Sequence, residues 1–194
     1  MTTLVPPWPA TTTPASSGSD VRLRPGRRAD HDALWSLFAP VLLRAETYAL
    51  PPETTRRAAL QYWTANDGPW FVAERAGQVV GACMVHPNQP GLGGHVANAA
   101  FVVDEAERGR GTGRRLVEQA VAAAREAGYR AMQFNLVVAT NASAVHLYTS
   151  LGFEVVGRVP DAFHWRRQTY VDALVLHRSL LPETARPGAV ELRL

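Results

Sequence analysis

The sequence predicts a single α/β domain in which a mixed sheet is flanked by helices, and three observations predict it. Short apolar runs typical of strands alternate with amphipathic segments typical of helices along most of the 194 residues. Hydrophobic residues make up 46% of the chain and charged residues 19%, which is ordinary for a globular domain. The length suffices for one good-sized core, and no internal repeat appears. We place the domain at 20–181, between a tail at 1–19 and a tail at 182–194.

A strand and two helices are expected first. Apolar and charged residues alternate through Val21 and Leu23, which indicates the first strand. Asp30 then stands where the N-cap of a helix is expected. Pro40 should end or kink this helix, because proline lacks the N–H that a helix interior needs. A second helix should begin near Pro52.

The rest of the domain continues the alternation. Apolar runs on either side of the Arg75–Gly77 turn predict a hairpin. A glycine- and arginine-rich segment opens a long helix that should end near Gly128, and a shorter helix should start at the N-cap Asn141 and end before Gly152. The predicted order is therefore β-α-α-β-β-β-α-β-α-β-β. After the first strand, the other strands are expected within 70–87 (the hairpin), 95–105, 131–140, 153–159 and 169–180.

The terminal segment bears on where the protein is located, and the single cysteine bears on which disulfides or metal sites it can form. The first 19 residues are rich in Pro, Thr and Ser and lack the basic start and apolar core of a secretory signal, so we expect a disordered tail. No apolar run approaches the roughly 20 residues that a membrane-spanning helix needs. We therefore expect a cytoplasmic protein with no membrane partner. Because Cys83 is the only cysteine in the sequence, a disulfide framework and a cysteine-rich metal site are excluded.

The start of the long helix concentrates glycine and positive charge. A helix N-terminus presents unpaired N–H groups and a partial positive charge, and glycines let the backbone wrap closely around an anion. The expected guest is a phosphate or pyrophosphate. A Rossmann site needs G-x-G-x-x-G and a P-loop needs G-K-[ST], and the G-x-G-x-G spacing here fits neither. The segment consists of Glu107, Arg108, Gly109, Arg110, Gly111, Thr112, Gly113, Arg114 and Arg115.

Two motifs in this chain resemble those of the GCN5-related N-acetyltransferase (GNAT) family. Arg108–Gly113, which follows an apolar strand, matches the family's coenzyme A motif [QR]-x-x-G-x-[GA]. Asn141–Phe153 matches its N-x-x-A-x-x-L-Y-x-x-x-G-F segment, and the predicted order of elements is also the family's. The resemblance covers roughly 21–180. It implies a GNAT fold, with a mostly antiparallel sheet that is splayed at the acetyl-CoA site, and an acetyl-CoA-dependent N-acetyltransferase.

The resemblance also implies which residues bind acetyl-CoA. Main-chain groups of the splayed strand would pair with the pantetheine arm, and one N–H near Val103 would stabilise the oxyanion. N–H groups of the glycine segment would hold the pyrophosphate. Asn141 would contact the pantetheine or support the start of the second helix. The residues expected at acetyl-CoA are Phe101, Val102, Val103, Arg108, Gly109, Arg110, Gly111, Thr112, Gly113, Arg114, Asn141, Ala144 and Tyr148.

Catalytic and acceptor-binding candidates follow from the same resemblance. Tyr148 stands where the family commonly has the general acid for the leaving thiolate, and the alternative is a packed aromatic. Asn98 and Asn135 lie inside apolar strands, where a buried amide needs partners; they either make cross-strand contacts or face the acceptor pocket as catalytic and substrate-binding groups. Glu46 and Tyr48 occupy a segment that binds the acceptor in family members. Glu46 is then a base or simply a solvated surface acid.

Two histidines and one aromatic segment are further candidates. His86 and His95 flank the Pro87–Gly94 turn and are able to titrate near neutral pH. We expect no metal, because no ligand cluster appears in the sequence. Whether Glu46, a histidine or water acts as the base stays open. Phe163–Arg167 is either the lip of a pocket or a plain loop.

The asparagines suggest a subgroup of the family. HVANAAF and MQFNLVVATN, which contain Asn98, Asn135 and Asn141, and PNQPGLG at Pro87–Gly93 resemble a subgroup that acetylates proline analogues such as azetidine-2-carboxylate. Short amide side chains suit a compact polar pocket, so we expect a small-molecule amine or amino acid as the acceptor. A protein or peptide amine is the alternative acceptor. A non-catalytic acyl-CoA-binding module is the alternative of a different class.

Nucleic acid is not an expected partner. The net charge of +3 is low, and the arginines converge on one glycine segment without a recognition module. A homodimer stays possible, because members of the family often pair through sheet edges or helices.

Overall fold

The computed structural model describes residues 21–65 and 68–182. The predicted tail at 1–19, and all but the first residue of the predicted tail at 182–194, lie outside the described residues. The helices and strands follow the predicted order. They are β1 (Arg22–Pro25), α1 (His31–Arg44), α2 (Arg56–Thr64), β2 (Trp70–Arg75), β3 (Gln78–Pro87), β4 (Val96–Val103), α3 (Thr112–Glu126), β5 (Ala131–Val138), α4 (Ala142–Ser150), β6 (Glu154–Trp165) and β7 (Thr169–Ser179).

The strands form one mixed sheet with the order β1-β2-β3-β4-β5-β7-β6. All neighbouring pairs are antiparallel except β4 and β5. These two strands pair only where Val96 faces Ala131 and Ala97 faces Met132, and then they diverge. The prediction of a mixed, mostly antiparallel sheet flanked by helices is confirmed, and the divergence opens the sheet in its middle.

Each face of the sheet carries its own apolar core. Side chains alternate between the two faces along a strand. In β3, Cys83 and Val85 pack on the side of α3 and α4, whereas Ala82 and Met84 pack on the side of α1 and α2. We call these sides the α3/α4 face and the α1/α2 face. Cys83 is fully buried in the core of the first face.

Several turns and helix ends lie at or near the positions that the sequence predicts. The hairpin turn consists of Ala76 and Gly77, both with positive φ. Gly128 follows α3 with a φ of +81°, and its N–H donates to the Arg125 carbonyl at 2.9 Å. Asn141 caps α4 with its side chain. The second helix begins four residues beyond Pro52, at Arg56.

Pro40 does not have the first of its two expected effects, and Asp30 has the expected N-cap position without the expected side-chain contact. The helix does not end at Pro40 but continues to Arg44. Pro40 is on the exposed side of the helix, so the missing N–H faces water while the opposite side stays buried in the core. Asp30 stands at the N-cap position without capping the helix. Its carboxylate instead accepts bonds from the Arg24 guanidinium at 2.7 and 2.8 Å and from the Arg27 N–H at 2.8 Å.

Among the described residues, no helix is both long and apolar enough to cross a membrane.

Candidate active site

The divergence of β4 and β5 opens a cleft of about 1100 Å³. Its walls come from both strands, the glycine-rich segment before α3, α4, the segment between α1 and α2, and the turn between β6 and β7. A bulge at Asn135 and Leu136 shifts the pairing of β5 with β7 and accompanies the divergence. One continuous cavity therefore runs from the start of α3 to the end of α1.

The edge of β4 that faces the cleft carries main-chain groups without a strand partner. The Asn88 N–H donates to the Val96 carbonyl at 2.8 Å, so Val96 and alternate residues after it turn their main-chain groups towards β3. The residues between them turn theirs towards the cleft. The Phe101 carbonyl on this edge accepts a bond from the Tyr48 hydroxyl at 2.8 Å. The N–H groups of Phe101 and Val103 point the same way and are available to a ligand.

The glycine-rich segment has the backbone that only glycine adopts readily. Gly109 has a φ of +74° and Gly111 a φ of +79°, and Gly111 is the N-cap of α3. A Cβ added to either residue would meet nothing within 4 Å, so open space lies in front of both. The first N–H groups of α3 are therefore accessible beside an unobstructed backbone, which suits an anion.

Glu107 anchors this segment, a role that was not predicted from the sequence. Its carboxylate is buried, with 3% of the side chain exposed. It accepts bonds from Arg75 in β2 at 3.1 Å, from Arg110 at 3.1 Å and from the Thr112 hydroxyl. The side chains of Arg110 and Thr112 contact Glu107, and neither residue is among those that line the cleft. The binding of the pyrophosphate by N–H groups of this segment stays a prediction. The only sequence signal was a carboxylate next to an arginine-rich loop.

The ionised form of Glu107 is favoured despite its burial. Desolvation opposes ionisation, but hydrogen bonds from Thr112 and Arg75 and the charges of Arg75 and Arg110 outweigh it and lower the pKa of Glu107. The segment is thereby fixed to β2 and to the start of α3 by a charged group.

Tyr148 lies in the cleft with its ring in an aromatic cluster. The ring centroid is 4.6 Å from that of Phe134 and 6.0 Å from those of Phe101 and Phe153. Burial raises the pKa of Tyr148, so the phenol stays protonated at neutral pH. Within the described part of the chain, no group accepts a hydrogen bond from its hydroxyl. Packing and proton donation are therefore compatible roles for this residue.

Asn141 and Ala144 also line the cleft, at the start of α4. The Asn141 side-chain oxygen accepts the Ala144 N–H at 3.2 Å and the Ser143 hydroxyl at 3.0 Å. Asn141 was expected either to contact the pantetheine or to support the start of this helix, and these hydrogen bonds support the start of α4.

Asn135 is exposed, and the expectation that it is a buried amide is wrong. It sits in the β5 bulge, beyond the residues of this strand that pair with β4. Its amide nitrogen donates to the Asn88 side-chain oxygen at 2.6 Å, and its oxygen accepts a bond from the Gln133 amide at 2.8 Å. Asn135 lines the cleft, and Asn88 links it to the turn after β3.

Asn98 is half-buried and lines the same cleft from β4. Its side-chain oxygen accepts the Ala99 N–H at 2.7 Å. Its Cα lies opposite that of His86 in the pairing of β3 with β4. Strand alternation puts Asn98, His86 and Asn135 on the α1/α2 face of the sheet, where they form a polar patch at the end of the cleft.

Glu46 and Tyr48 lie at this end of the cleft, and both are engaged. Glu46 is neither a free base nor a solvated acid, because the Arg166 guanidinium donates to it at 2.6 Å. The main-chain N–H of Arg166 also donates to the Ala45 carbonyl at 2.8 Å. The guanidinium carbon of Arg166 lies 4.1 Å from the centroid of the Trp165 ring. Trp165 and Arg166 line the cleft, so this part of the predicted pocket lip does border a pocket. The Tyr48 hydroxyl donates its hydrogen bond to the Phe101 carbonyl.

Within 21–65 and 68–182, no group of three or more His, Cys, Asp or Glu side chains is placed to hold a metal ion.

Comparison with known proteins assigns the chain to a family. The family model described as acetyltransferase (GNAT) family matches residues 33–153, which contain most of the cleft. The chain belongs to the GNAT family. The GNAT fold expected from the sequence is thereby confirmed.

Individual GNAT proteins resemble the chain to different extents. A GCN5-related N-acetyltransferase from Kribbella flavida is 42% identical, with a TM-score of 0.78 over 82% of this chain and 97% of that one. yncA from Salmonella typhimurium, solved with its cofactor acetyl-CoA, is 22% identical and shares the fold, with a TM-score of 0.77 over 88% of this chain and 100% of that one. N-acetyltransferase aca1 of Schizosaccharomyces pombe is 35% identical over 98 residues, 50% of this chain. The match spans 47% of that relative, about half of its length.

Proposed function

We propose that this chain transfers the acetyl group of acetyl-CoA to the amine of a small molecule or amino acid, by direct attack with both substrates bound. The observation that carries the proposal is the cleft itself. It joins an unpaired main-chain edge, an open glycine-rich helix start and a protonated phenol. Family membership and the yncA complex with acetyl-CoA support the same cofactor here.

The cleft residues fit acetyl-CoA in three parts. The N–H groups at the start of α3 face open space and suit the pyrophosphate. The free edge of β4 suits the amide groups of the pantetheine arm. The N–H of Val103 is on the same edge and would stabilise the charge that develops on the thioester oxygen.

The reaction needs the two substrates to be aligned and a proton donor for the leaving sulfur. Holding the amine and the thioester together removes most of the entropic barrier to attack. The leaving sulfur gains negative charge, and Tyr148 would supply its proton. Its raised pKa keeps that proton available at neutral pH.

A small acceptor is favoured by the way in which the cleft is closed. Arg166 binds Glu46, and Arg167 binds Glu53, so the β6–β7 turn is tied across the end of the cleft to the α1–α2 segment. A compact end lined by Asn98 and by other polar groups suits an amine with a carboxylate better than an extended peptide. Proline analogues such as azetidine-2-carboxylate are our first candidates, since the asparagine segments resemble that subgroup.

A panel of acceptors tests this proposal. Release of free thiol from acetyl-CoA is measured with amines, amino acids, proline, azetidine-2-carboxylate and peptides with free N-termini. We expect turnover with a small amine and none with the peptides. Peptide turnover alone would point to the alternative acceptor. Tight acetyl-CoA binding without turnover on the whole panel would favour a non-catalytic module.

Asn135→Ala should separate acceptor chemistry from cofactor binding. The Asn135 amide lies in the polar patch and away from the glycine-rich segment, so we expect kcat/KM for the acceptor to fall about 10-fold, as for the loss of one hydrogen bond to the substrate. The dissociation constant of acetyl-CoA should change less than about twofold. Gln78→Ala, in the exposed β2–β3 hairpin, is the control. Equal turnover in parent and variant would remove Asn135 from the site.

A further inference from the structure

We propose that Nε2 of His86 is the general base that takes the proton from the acceptor amine. This inference rests on the proposed function, and it assigns the one role in the reaction that neither Glu46 nor Tyr148 fills. It depends on three features: the position of His86 in the cleft, the tautomer that its surroundings impose, and the engagement of the carboxylates around it.

His86 lies where the acceptor should bind. It follows Ala82 and Met84 on the α1/α2 face of β3, beyond the part of this face that the core covers. It is half-buried, lines the cleft and faces Asn98 across the β3–β4 pair. The glycine-rich segment lies beyond the opposite end of β4, so the imidazole belongs to the acceptor end of the cavity.

The structure fixes the tautomer of His86. Its Nδ1 is 2.8 Å from the Pro87 carbonyl oxygen. A carbonyl oxygen only accepts hydrogen bonds, so Nδ1 carries the hydrogen. In a neutral imidazole the lone pair is then on Nε2, which is the nitrogen that can accept a proton.

The carboxylates that line the described cleft are already engaged. Glu46 is ion-paired with Arg166, and Glu105 lies 3.7 Å from both Arg44 and Arg108. The two others are Asp104, which accepts the Ala106 N–H at 2.9 Å, and Glu107, which is bound by Arg75, Arg110 and Thr112. None of them offers a free base beside the polar patch.

The other titratable groups at this end of the cleft come from the elements across from β3. Arg44 lies at the end of α1, Tyr48 in the α1–α2 segment, Tyr62 in α2 and Arg166 in the β6–β7 turn. Burial raises the pKa of Tyr48 and of Tyr62, so both phenols stay protonated, and the arginines stay charged. These groups therefore leave His86 as the acceptor of the proton.

The proton balance is complete without another reactant. The acceptor arrives as an ammonium ion, and Nε2 of His86 takes one proton and later releases it to water. The freed nitrogen attacks the thioester carbon, a C–N bond forms and the C–S bond breaks. The sulfur takes a proton from Tyr148, and the second proton lost by the nitrogen replaces it. The products are the amide, the free thiol and one proton in solution.

The test compares His86→Gln with His95→Gln. His95 is also a histidine of this region whose Nδ1 lies near a carbonyl, that of Leu92 at 3.1 Å, but it is exposed and does not line the cleft. We measure kcat/KM for the best acceptor of the panel between pH 5.5 and pH 9 (about the range in which imidazole and amines titrate), together with acetyl-CoA affinity by calorimetry. A second variant, His86→Ala, is assayed with and without added imidazole.

We expect kcat in His86→Gln to fall about 100-fold, as for loss of a general base. The parent's kcat/KM should decrease towards about pH 5.5, and this decrease should be weaker in His86→Gln. Acetyl-CoA affinity should stay within about twofold. Added imidazole should restore part of the activity of His86→Ala. His95→Gln should behave as the parent. Parental turnover with an unchanged acid side in His86→Gln would overturn the base assignment while leaving the acetyltransferase proposal intact. No turnover by the parent on any acceptor would overturn both.

Discussion

At the scale of single residues, the cleft joins side chains whose chemistry depends on what surrounds them. Tyr148 is an ordinary aromatic of α4 in sequence, yet its ring packs against Phe134 while its hydroxyl has no acceptor in the described chain. Burial removes the phenolate as a competing form at neutral pH. A phenol held in this way is a proton donor and not a base.

Tyr148→Phe should therefore reduce turnover without disturbing the fold or the cofactor. The substitution removes only the hydroxyl and keeps the aromatic packing, so we expect kcat to fall about 100-fold. The acetyl-CoA dissociation constant should change less than about threefold. The control is Tyr170→Phe, because the Tyr170 side chain is 61% exposed on β7. Parental kcat in Tyr148→Phe would leave only the packing role.

Residue identities were easier to predict from the sequence than their surroundings. Tyr148 and Asn141 stand in a motif with fixed spacing, so they could be selected from the sequence. The ion pair of Glu46 with Arg166 joins residues 120 positions apart, and sequence spacing carries no information on it. The exposure of Asn135 arises from a bulge in β5, whereas the apolar neighbours suggested burial.

At the scale of elements, the segment before α3 is a loop that an internal ion pair holds in place. Glu107 joins the loop to β2 through Arg75 and to the helix start through Thr112. The positive φ angles of Gly109 and Gly111 then set the direction of the backbone. The anion site proposed here depends on this buried carboxylate, which holds the loop in place.

Glu107→Gln should destabilise the protein strongly. The change keeps the shape but removes the buried negative charge that Arg75 and Arg110 contact, which costs about 3 kcal/mol. Urea unfolding measures the effect. The control is Glu118→Gln on the exposed side of α3, whose pair with Arg114 at 3.7 Å should contribute about 1 kcal/mol or less. Equal losses in the two variants would contradict the anchoring role.

The order of the elements was predictable because their signals are local. Gly128 and Asn141 mark helix ends through backbone and side-chain chemistry that depends on a few adjacent residues. The helix continues past Pro40 because the effect of a proline depends on which side of α1 faces water, which is a property of the packing. The divergence of β4 and β5 followed only from the family resemblance, since no periodicity in either strand predicts it.

At the scale of the whole molecule, the two apolar cores lie on opposite faces of one sheet, and ion pairs connect elements outside these cores. Arg24 in β1 contacts Asp30 and Glu74 at 2.7 Å each, which fixes the start of α1 to β1 and β2. The hydrogen bond from Arg24 is the main reason why the pKa of Asp30 is lowered, and it outweighs the opposing effect of burial. The fold therefore depends on ionised carboxylates.

Stability should consequently fall in acid. Asp30 and Glu107 have lowered pKa values in the folded state, against ordinary values of 3.8 and 4.5. Such groups contribute fully above their ordinary pKa and lose their contribution as the pH falls through the lowered values. Unfolding free energy measured by urea should be steady from pH 7 to about pH 5 and decline below it. Asp30→Asn should show a smaller decline than the parent, and identical pH profiles would contradict the assignment.

The most direct test of the central claim is acetyl-CoA binding to Gly111→Val compared with Gly128→Val. Both glycines have a φ near +80° and free space around a new Cβ, so the two changes strain the backbone alike, but only Gly111 borders the cleft. Calorimetry should show that Gly111→Val weakens acetyl-CoA binding at least about 100-fold, whereas Gly128→Val binds as the parent does. Unchanged affinity in Gly111→Val, or an equal loss in both variants, would contradict the claim that the N–H groups at the start of α3 hold the cofactor.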